Sequence, residues 1–278
     1  MTLIVFAAVL AAAVLHAVWN ALIRRGTDKQ TAMLVLTLGN ALTGLCVVAT
    51  RPWPAAEVWV WIVASGAIHT AYQLFLAYAY EQGDLSRVYP LARGGAPMIV
   101  LAVSLAVALD PVTGTEVAGV LLLGAGLAVM ARGVFTSGES RRMLPFAAGS
   151  ACATAAYTLT DGIGARIGGD PVGYTGWLLI AAAVFYVPVI LALRGRAVVP
   201  RAGRVWGIGL VAGACSFMAY GIVVWAMTQA PIALVAALRE TSILFAVLIG
   251  WWVFGEVMNR QKALAALLIV GGVALTRL

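Results

Sequence analysis

The chain has 278 residues, of which 63% are hydrophobic and only 10% charged, against roughly 25% charged in an average soluble domain. Eighteen Lys and Arg with eleven Asp and Glu cannot give a globule of this size a solvated ionic surface, which excludes an ordinary soluble enzyme, a disordered chain and a disulfide-rich secreted module. The net charge of +7 is scattered through short breaks between apolar stretches, and no basic run tracks phosphates, so nucleic acid is excluded as a partner.

Apolar runs near the ~20 residues needed to cross a ~30 Å hydrocarbon core recur from end to end. Lipid admits only helices or closed barrels, and no barrel alternation is present. The pattern predicts an all-α integral membrane protein with ten transmembrane helices, over residues 3–23, 31–50, 57–80, 86–109, 115–131, 145–165, 173–193, 206–228, 231–254 and 262–277. Connections such as Arg51-Pro52-Trp53-Pro54 and Thr228-Gln229-Ala230-Pro231 leave no room for an extramembrane domain.

The first span carries no Lys or Arg ahead of its apolar run, and its Arg pair follows it; that is the wrong polarity for a cleavable signal, so a retained helix is expected. His16 and Asn20 are four apart and share a face. His16 serves either packing or proton transfer, and Trp19 either joins that face or anchors at the interface. In the third span His69, Tyr72 and Gln73 form a polar i, i+3, i+4 face that lipid would not reward, so it is expected to point inward. In the fourth, Pro90, Pro97 and the Gly94-Gly95 pair permit a broken backbone near Arg93, which lies roughly 10 Å deep at 1.5 Å per residue. Tyr157 and Asp161 make a comparable stripe in the sixth span, with Asp161 expected at the water boundary. Gly209-x-x-x-Gly213 in the eighth is a packing face. Arg239 and Glu240 lie inside the ninth. The fifth and tenth spans are short. Glu81, Asp84 and Arg87, like Glu256, Arg260 and Lys262, are expected in solvated turns. Cys46, Cys152 and Cys215 sit in apolar runs with no C-x-x-C spacing and are expected as buried packing residues.

The odd-numbered connections hold thirteen Lys and Arg, and the opposite side holds three, Arg51, Arg166 and Arg277. The positive-inside rule then places the odd connections in the cytoplasm and both termini outside. A shift of 147 positions carries Gly66-Ala67 onto Gly213-Ala214, Gln82 onto Gln229, Val88 onto Val235 and Arg93 onto Glu240. Each half, residues 1–138 and 139–278, then holds five helices, and an odd number forces the two copies into opposite orientation. The fold expected is two inverted five-helix repeats with a site between them near the midplane.

The five-plus-five order, the His16-Ala17-Val18-Trp19-Asn20 opening, Tyr89-Pro90-Leu91-Ala92-Arg93-Gly94, and Leu238-Arg239-Glu240-Thr241-Ser242 leading to Gly255-Glu256 resemble EamA-type transporters of the drug/metabolite transporter superfamily. The resemblance implies a ten-helix carrier of small metabolites working by alternating access. It also implies cytoplasmic termini in many members, opposite to the charge count. The Glu that the small multidrug branch carries in its first helix has no counterpart here, so proton/cation-drug exchange is not carried over.

An ionised side chain at mid-span costs about 2.5–3.5 kcal/mol on insertion scales, so it requires a partner, water or a function. Arg93 and Glu240, opposite in charge and mates in the repeat, can form a guanidinium–carboxylate bridge that either glues the halves or lines the cavity. Arg239 adds a positive surplus that favours a carboxylate, phosphonate or sulfonate. Arg93, Arg239 and Glu240 are therefore the leading candidates for substrate or coupling contacts, followed by His16, Asn20, His69, Tyr72, Gln73 and Tyr157. The expected function is secondary transport of a small organic metabolite, such as an amino acid or organic anion, with a coupling proton or other ion. The alternatives are a membrane-embedded enzyme or a channel using the same residues. No H-E-x-x-H, G-x-S-x-G or G-x-x-x-x-G-K-[ST] occurs, so no enzymatic activity, cofactor or metal is expected. The expected setting is the bacterial inner membrane, as a multi-pass monomer or homodimer.

Overall fold

Apolar runs without water can satisfy their backbone only by coiling, and each predicted span is mainly helical where it is described. The computed structural model describes residues 1–23, 28–82, 92–131, 142–254 and 260–277. Of the residues singled out above, the Arg pair after the first span (Arg24 and Arg25), Asp84, Arg87, Val88, Tyr89, Pro90, Leu91, Gly255 and Glu256 lie outside the described residues, as do Arg132 and Arg141 among the thirteen Lys and Arg counted on the odd connections. The helices are α1 (Leu3–Ile23), α2 (Lys29–Val48), α3 (Trp59–Gln82), α4 (Ala96–Ala106), α5 (Gly114–Ala131), α6 (Met143–Gly168), α7 (Pro171–Arg194), α8 (Gly203–Gln229), α9 (Ile232–Arg239), α10 (Ser242–Phe254) and α11 (Arg260–Leu275). Taking α9 and α10 as one interrupted span gives ten. Six, namely α1, α2, α3 with its 3-10 lead-in, α5, α7 and α8, are long and apolar enough to cross a membrane by length and composition.

Local chemistry sets the ends. Asp28 accepts from the backbone N–H of Gln30 and Thr31, both at 3.1 Å, and starts α2. Asp170 caps α7 through Gly173 N–H at 3.1 Å, followed by Pro171 at a position that needs no donor. Gly169, at φ 70°, terminates α6 in the left-handed conformation.

The fourth span breaks at Gly95, which separates helical residues 92–94 from α4, as the Gly pair permits. The ninth also breaks, where a single helix was expected. Glu240 and Thr241 leave the helix, and the Thr241 hydroxyl donates to the Leu238 carbonyl at 2.7 Å. The same carbonyl also accepts the Thr241 N–H at 3.0 Å, a tightened last turn of the kind that ends many helices.

Two ends of the bundle are defined by polar contacts. At one, Glu81 accepts from Arg194 at 2.7 and 2.8 Å and from Gln30 at 2.9 Å; Glu81 is thus in the last turn of α3, not in the solvated turn expected. Arg260 and Lys262 likewise belong to the first turn of α11. At the other end Arg166 donates to Asp110 at 2.8 and 3.2 Å and to the carbonyls of Met227 and Ala230 at 2.8 and 3.0 Å. Asp110 in turn accepts from Ile232 N–H at 2.9 Å. Trp53, Trp59 and Trp177 cluster there with ring centroids 4.7–5.3 Å apart, an interfacial aromatic group of the kind headgroups favour.

Packing partners recur between the halves. The α1 helix packs on α8 and α3 on α6; α2 packs on α8 and α3 on α7; α2 meets α7, and α5 meets α11. The α5–α11 pair is antiparallel, since Gly119 abuts Gly272 while Gly126 abuts Ala265. The α2–α7 pair is antiparallel too, with Gly44 against Gly176 at one end and Gln30 and Arg194 sharing Glu81 at the other. The outer surface is apolar, with Ile4, Leu267 and Trp252 largely exposed. Cys46 and Cys152 lie on that surface and Cys215 is half-buried, so the thiols are not the buried packing residues expected; a small hydrophobic group is as acceptable to lipid as to a core.

A close backbone approach joins α2 and α8. A Cβ on Gly213 would lie 2.5 Å from the Gly39 carbonyl carbon, and one on Gly39 2.7 Å from the Gly209 oxygen. Backbone cannot rotate away as a side chain can, so a methyl here forces the helices apart. Gly213→Ala should destabilise the protein by about 1–3 kcal/mol, read as a lower midpoint of thermal unfolding in detergent. Gly207→Ala, on the same helix with nothing within 4 Å of a new Cβ, should leave the midpoint unchanged or raise it.

Candidate functional site

The inward faces of α1, α2, α3, α6, α7, α8 and α9, with Arg93, line a cavity of about 70 Å³. Of the residues singled out from sequence, His16, His69, Tyr72, Gln73, Arg93, Tyr157 and Arg239 line it. Glu240 does not reach the cavity; it is fully buried behind the two arginines. Asn20 also stays out. Its amide turns back along α1 and donates to the His16 carbonyl at 2.9 Å.

Arg93 grips Glu240 with two parallel bonds, Nε to Oε2 at 3.1 Å and Nη2 to Oε1 at 2.9 Å. This bidentate fork joins side chains from the two halves and is nearly inaccessible. Arg239 contributes one longer bond, Nε to Glu240 Oε1 at 3.3 Å. Its guanidinium carbon lies 5.7 Å from the centroid of the Tyr157 ring, within reach of a cation–π contact. Its Nη1 and Nη2 make no hydrogen bond among the described residues. Both arginines stand where their helices stop, beside the breaks at Gly95 and Glu240-Thr241, and Arg239 lies at the C-terminal, negative end of α9.

Aromatic rings build the opposite wall. His69 stacks on Tyr157 with centroids 4.1 Å apart and planes 19° apart, and Tyr72 and Tyr220 meet Tyr157 edge-on at 5.4 and 5.9 Å. His16 and Trp19 meet edge-on at 4.8 Å, so Trp19 faces the cavity and not the interface. Gln73 is held by a hydrogen bond from Thr37 at 2.9 Å. Three cavity groups, His16 Nε2, Trp19 Nε1 and Asn40 Oδ1, have no hydrogen-bond partner among the described residues, although buried polar atoms are almost always paired.

Asp161 departs most from expectation. It is not at the water boundary but fully buried, accepting from Tyr174 at 3.2 Å, from Tyr220 and from His69 Nε2 at 3.2 Å. The positive surplus inferred from Arg93, Arg239 and Glu240 alone is therefore cancelled. The buried Asp, Glu, Lys and Arg side chains among the described residues are two arginines and two carboxylates.

Asn40, Ser216 and Tyr220 also line the cavity and were not singled out. The repeat held the signal for two of them: a shift of 147 positions carries His69, Tyr72 and Gln73 onto Ser216, Ala219 and Tyr220, each of which faces the cavity.

Removing one partner of a buried pair leaves the other charge uncompensated, a loss of about 3–5 kcal/mol. Glu240→Ala should accordingly unfold at a markedly lower temperature than the parent. Reversing both, Arg93→Glu with Glu240→Arg, should recover part of what either reversal loses. Recovery stays partial because Arg239 would then face a like charge; absence of any recovery would show that the pair does not act as one.

Residues 141–278 match the family model described as the EamA-like transporter family. No curated protein matches. A solved structure described only as "Crystal structure of protein" superposes with a TM-score of 0.76, covering 99% of this chain and 97% of its own at 20% identity, a likeness of fold alone. With the helices and the buried cluster above, the match over residues 141–278 establishes that this multi-pass membrane protein belongs to the EamA-like transporter family of the drug/metabolite transporter superfamily.

Proposed function

We propose that the chain is a secondary carrier in which two inverted five-helix repeats expose one central site alternately to the two sides of a bacterial inner membrane. The observation that carries this reading is Arg239: a buried cation that lines the cavity and is held by a single 3.3 Å hydrogen bond among the described residues. Glue alone does not call for that arrangement, because Arg93 already satisfies Glu240 with a complete fork. The free nitrogens suit a carboxylate, phosphonate or sulfonate on a small organic molecule. The unpartnered His16, Trp19 and Asn40 atoms would hydrogen-bond the rest of it, and Tyr72, Tyr157 and Tyr220 would pack its apolar part.

Inverted repeats are supported by the antiparallel α5–α11 and α2–α7 pairs, whose members correspond under the 147-position shift. The orientation proposed has the Glu81 end in the cytoplasm and both termini outside, following the excess of Lys and Arg on the odd connections.

The substrate class is to be found by thermal-shift screening of purified protein against amino acids, organic anions, phosphonates and cations, since a ligand of the folded state raises its apparent stability. The hit, labelled, should enter proteoliposomes with saturation and counterflow. Arg239→Ala should abolish that flux while folding near normally. Flux without saturation or counterflow would make the protein a channel, turnover in detergent would make it an enzyme, and full flux in Arg239→Ala would remove that residue from the site.

A further inference from the structure

The geometry points to a proton-binding site formed by His69 and Asp161 in the wall of the cavity, loaded together with the negative charge of a substrate held at Arg239. It rests on the carrier reading for its use, though not for its existence.

Asp161 is fully buried and its two oxygens receive three donors: the Tyr174 hydroxyl on Oδ1, and the Tyr220 hydroxyl and His69 Nε2 on Oδ2. With Oδ2 as the acceptor, His69 carries its proton on Nε2. His69 lines the cavity, and its Nδ1 makes no hydrogen bond among the described residues. That nitrogen can take a proton from cavity water. The imidazolium so formed keeps its Nε2–H on Asp161, and on release the proton returns from Nδ1 to water. Asp161 itself, with every oxygen engaged and no place in the cavity lining, is not available to bind a substrate cation.

The groups facing His69 decide the charge balance. From α3 comes Tyr72; from α6, Tyr157 and Asp161; from α7, Tyr174; from α8, Tyr220; beyond Tyr157 lie Arg239, Glu240 and Arg93. From α1 comes His16, and α2 contributes the neutral Asn40. With both histidines neutral, Arg93, Arg239, Glu240 and Asp161 sum to zero. A single anion at Arg239 would leave the buried region at minus one, which a low-dielectric interior penalises; one proton on His69 restores neutrality. The two ligands therefore favour each other, and the preference is reciprocal. Lowering the pH on the side from which an anionic substrate enters would drive its uptake.

The chain has two histidines, so protein labelled with 15N-histidine gives two rings to follow by NMR in detergent, with His16 identified by its loss in His16→Gln. The ring nitrogens of His69 should pass from the neutral to the charged pattern as the pH is lowered from about 8.5 to about 5. Asp161→Asn should abolish that passage over the same range. Arg239→Gln removes the charge that a bound anion would neutralise and should move the passage to higher pH. A His69 ring that keeps one pattern throughout in the parent, or passes identically in Asp161→Asn, overturns the site. If Asp161→Asn does not fold, the parent and Arg239→Gln decide, and an unmoved passage in Arg239→Gln overturns the link to substrate charge. Titration of His69 without any carrier-type flux would keep the proton site and remove the carrier; flux with a His69 that does not titrate would remove the proton site alone.

Discussion

Hydrocarbon offers no water to an unpaired charge, and the architecture of this protein follows from how it keeps four ionised side chains out of lipid. Arg93 and Glu240 close on each other from separate halves, and Asp161 is enclosed by two phenols and an imidazole. Neither cluster could be stable on a helix exposed to lipid. The helices that carry them must pack with these faces inward, and so the polar residues define the interior as much as apolar packing does. Close glycine contacts, Gly39 with Gly213 and Gly119 with Gly272, then supply the dispersion contact that water-driven burial cannot supply between lipid-bathed helices.

The two backbone breaks belong to the same logic. A helix that ends in the middle of a membrane leaves carbonyls and amides unpaired, and such ends are tolerated only where protein or a cavity receives them. Here each break lies beside an arginine that reaches the cavity. The Leu238 carbonyl accepts both the Thr241 N–H and the Thr241 hydroxyl, and Arg239 lays positive charge on the negative end of α9. The breaks thus leave these two arginines with less of the surrounding helix to screen them from the cavity.

Much of this was legible in the residues. The spans follow from hydropathy, and the Arg93–Glu240 pairing from charge and repeat register together. The break at Gly95 is written in a Gly pair followed by Pro97. The break at Glu240-Thr241 is not, because no glycine or proline marks it; a threonine hydroxyl does the work there, and threonine inside a helix usually bonds its own backbone without ending it. Asp161 was misplaced for a different reason. Its three donors come from α3, α7 and α8, and no local pattern on α6 announces partners so distant in the chain. Asn20 was misplaced because spacing fixes a face but not whether the amide turns inward or back to its own backbone.

Burial of Asp161 changes what the site selects. A surplus of positive charge would attract any anion, whereas a cluster that sums to zero must discriminate by the direction of its donors. Arg239 presents unpaired nitrogens to the cavity, while the carboxylates are occupied, Glu240 by two guanidiniums and Asp161 by its three donors. The cavity is therefore locally cationic at one end although the buried set is neutral. In the proposed carrier, an anionic group would be recognised by geometry at Arg239, and the charge it brings would have to be balanced elsewhere in the wall. Two cavity rings, Tyr220 and His69, rest on Asp161, and of these only the imidazole can take up a proton, so in the proposed carrier the balance falls to the His69–Asp161 pair.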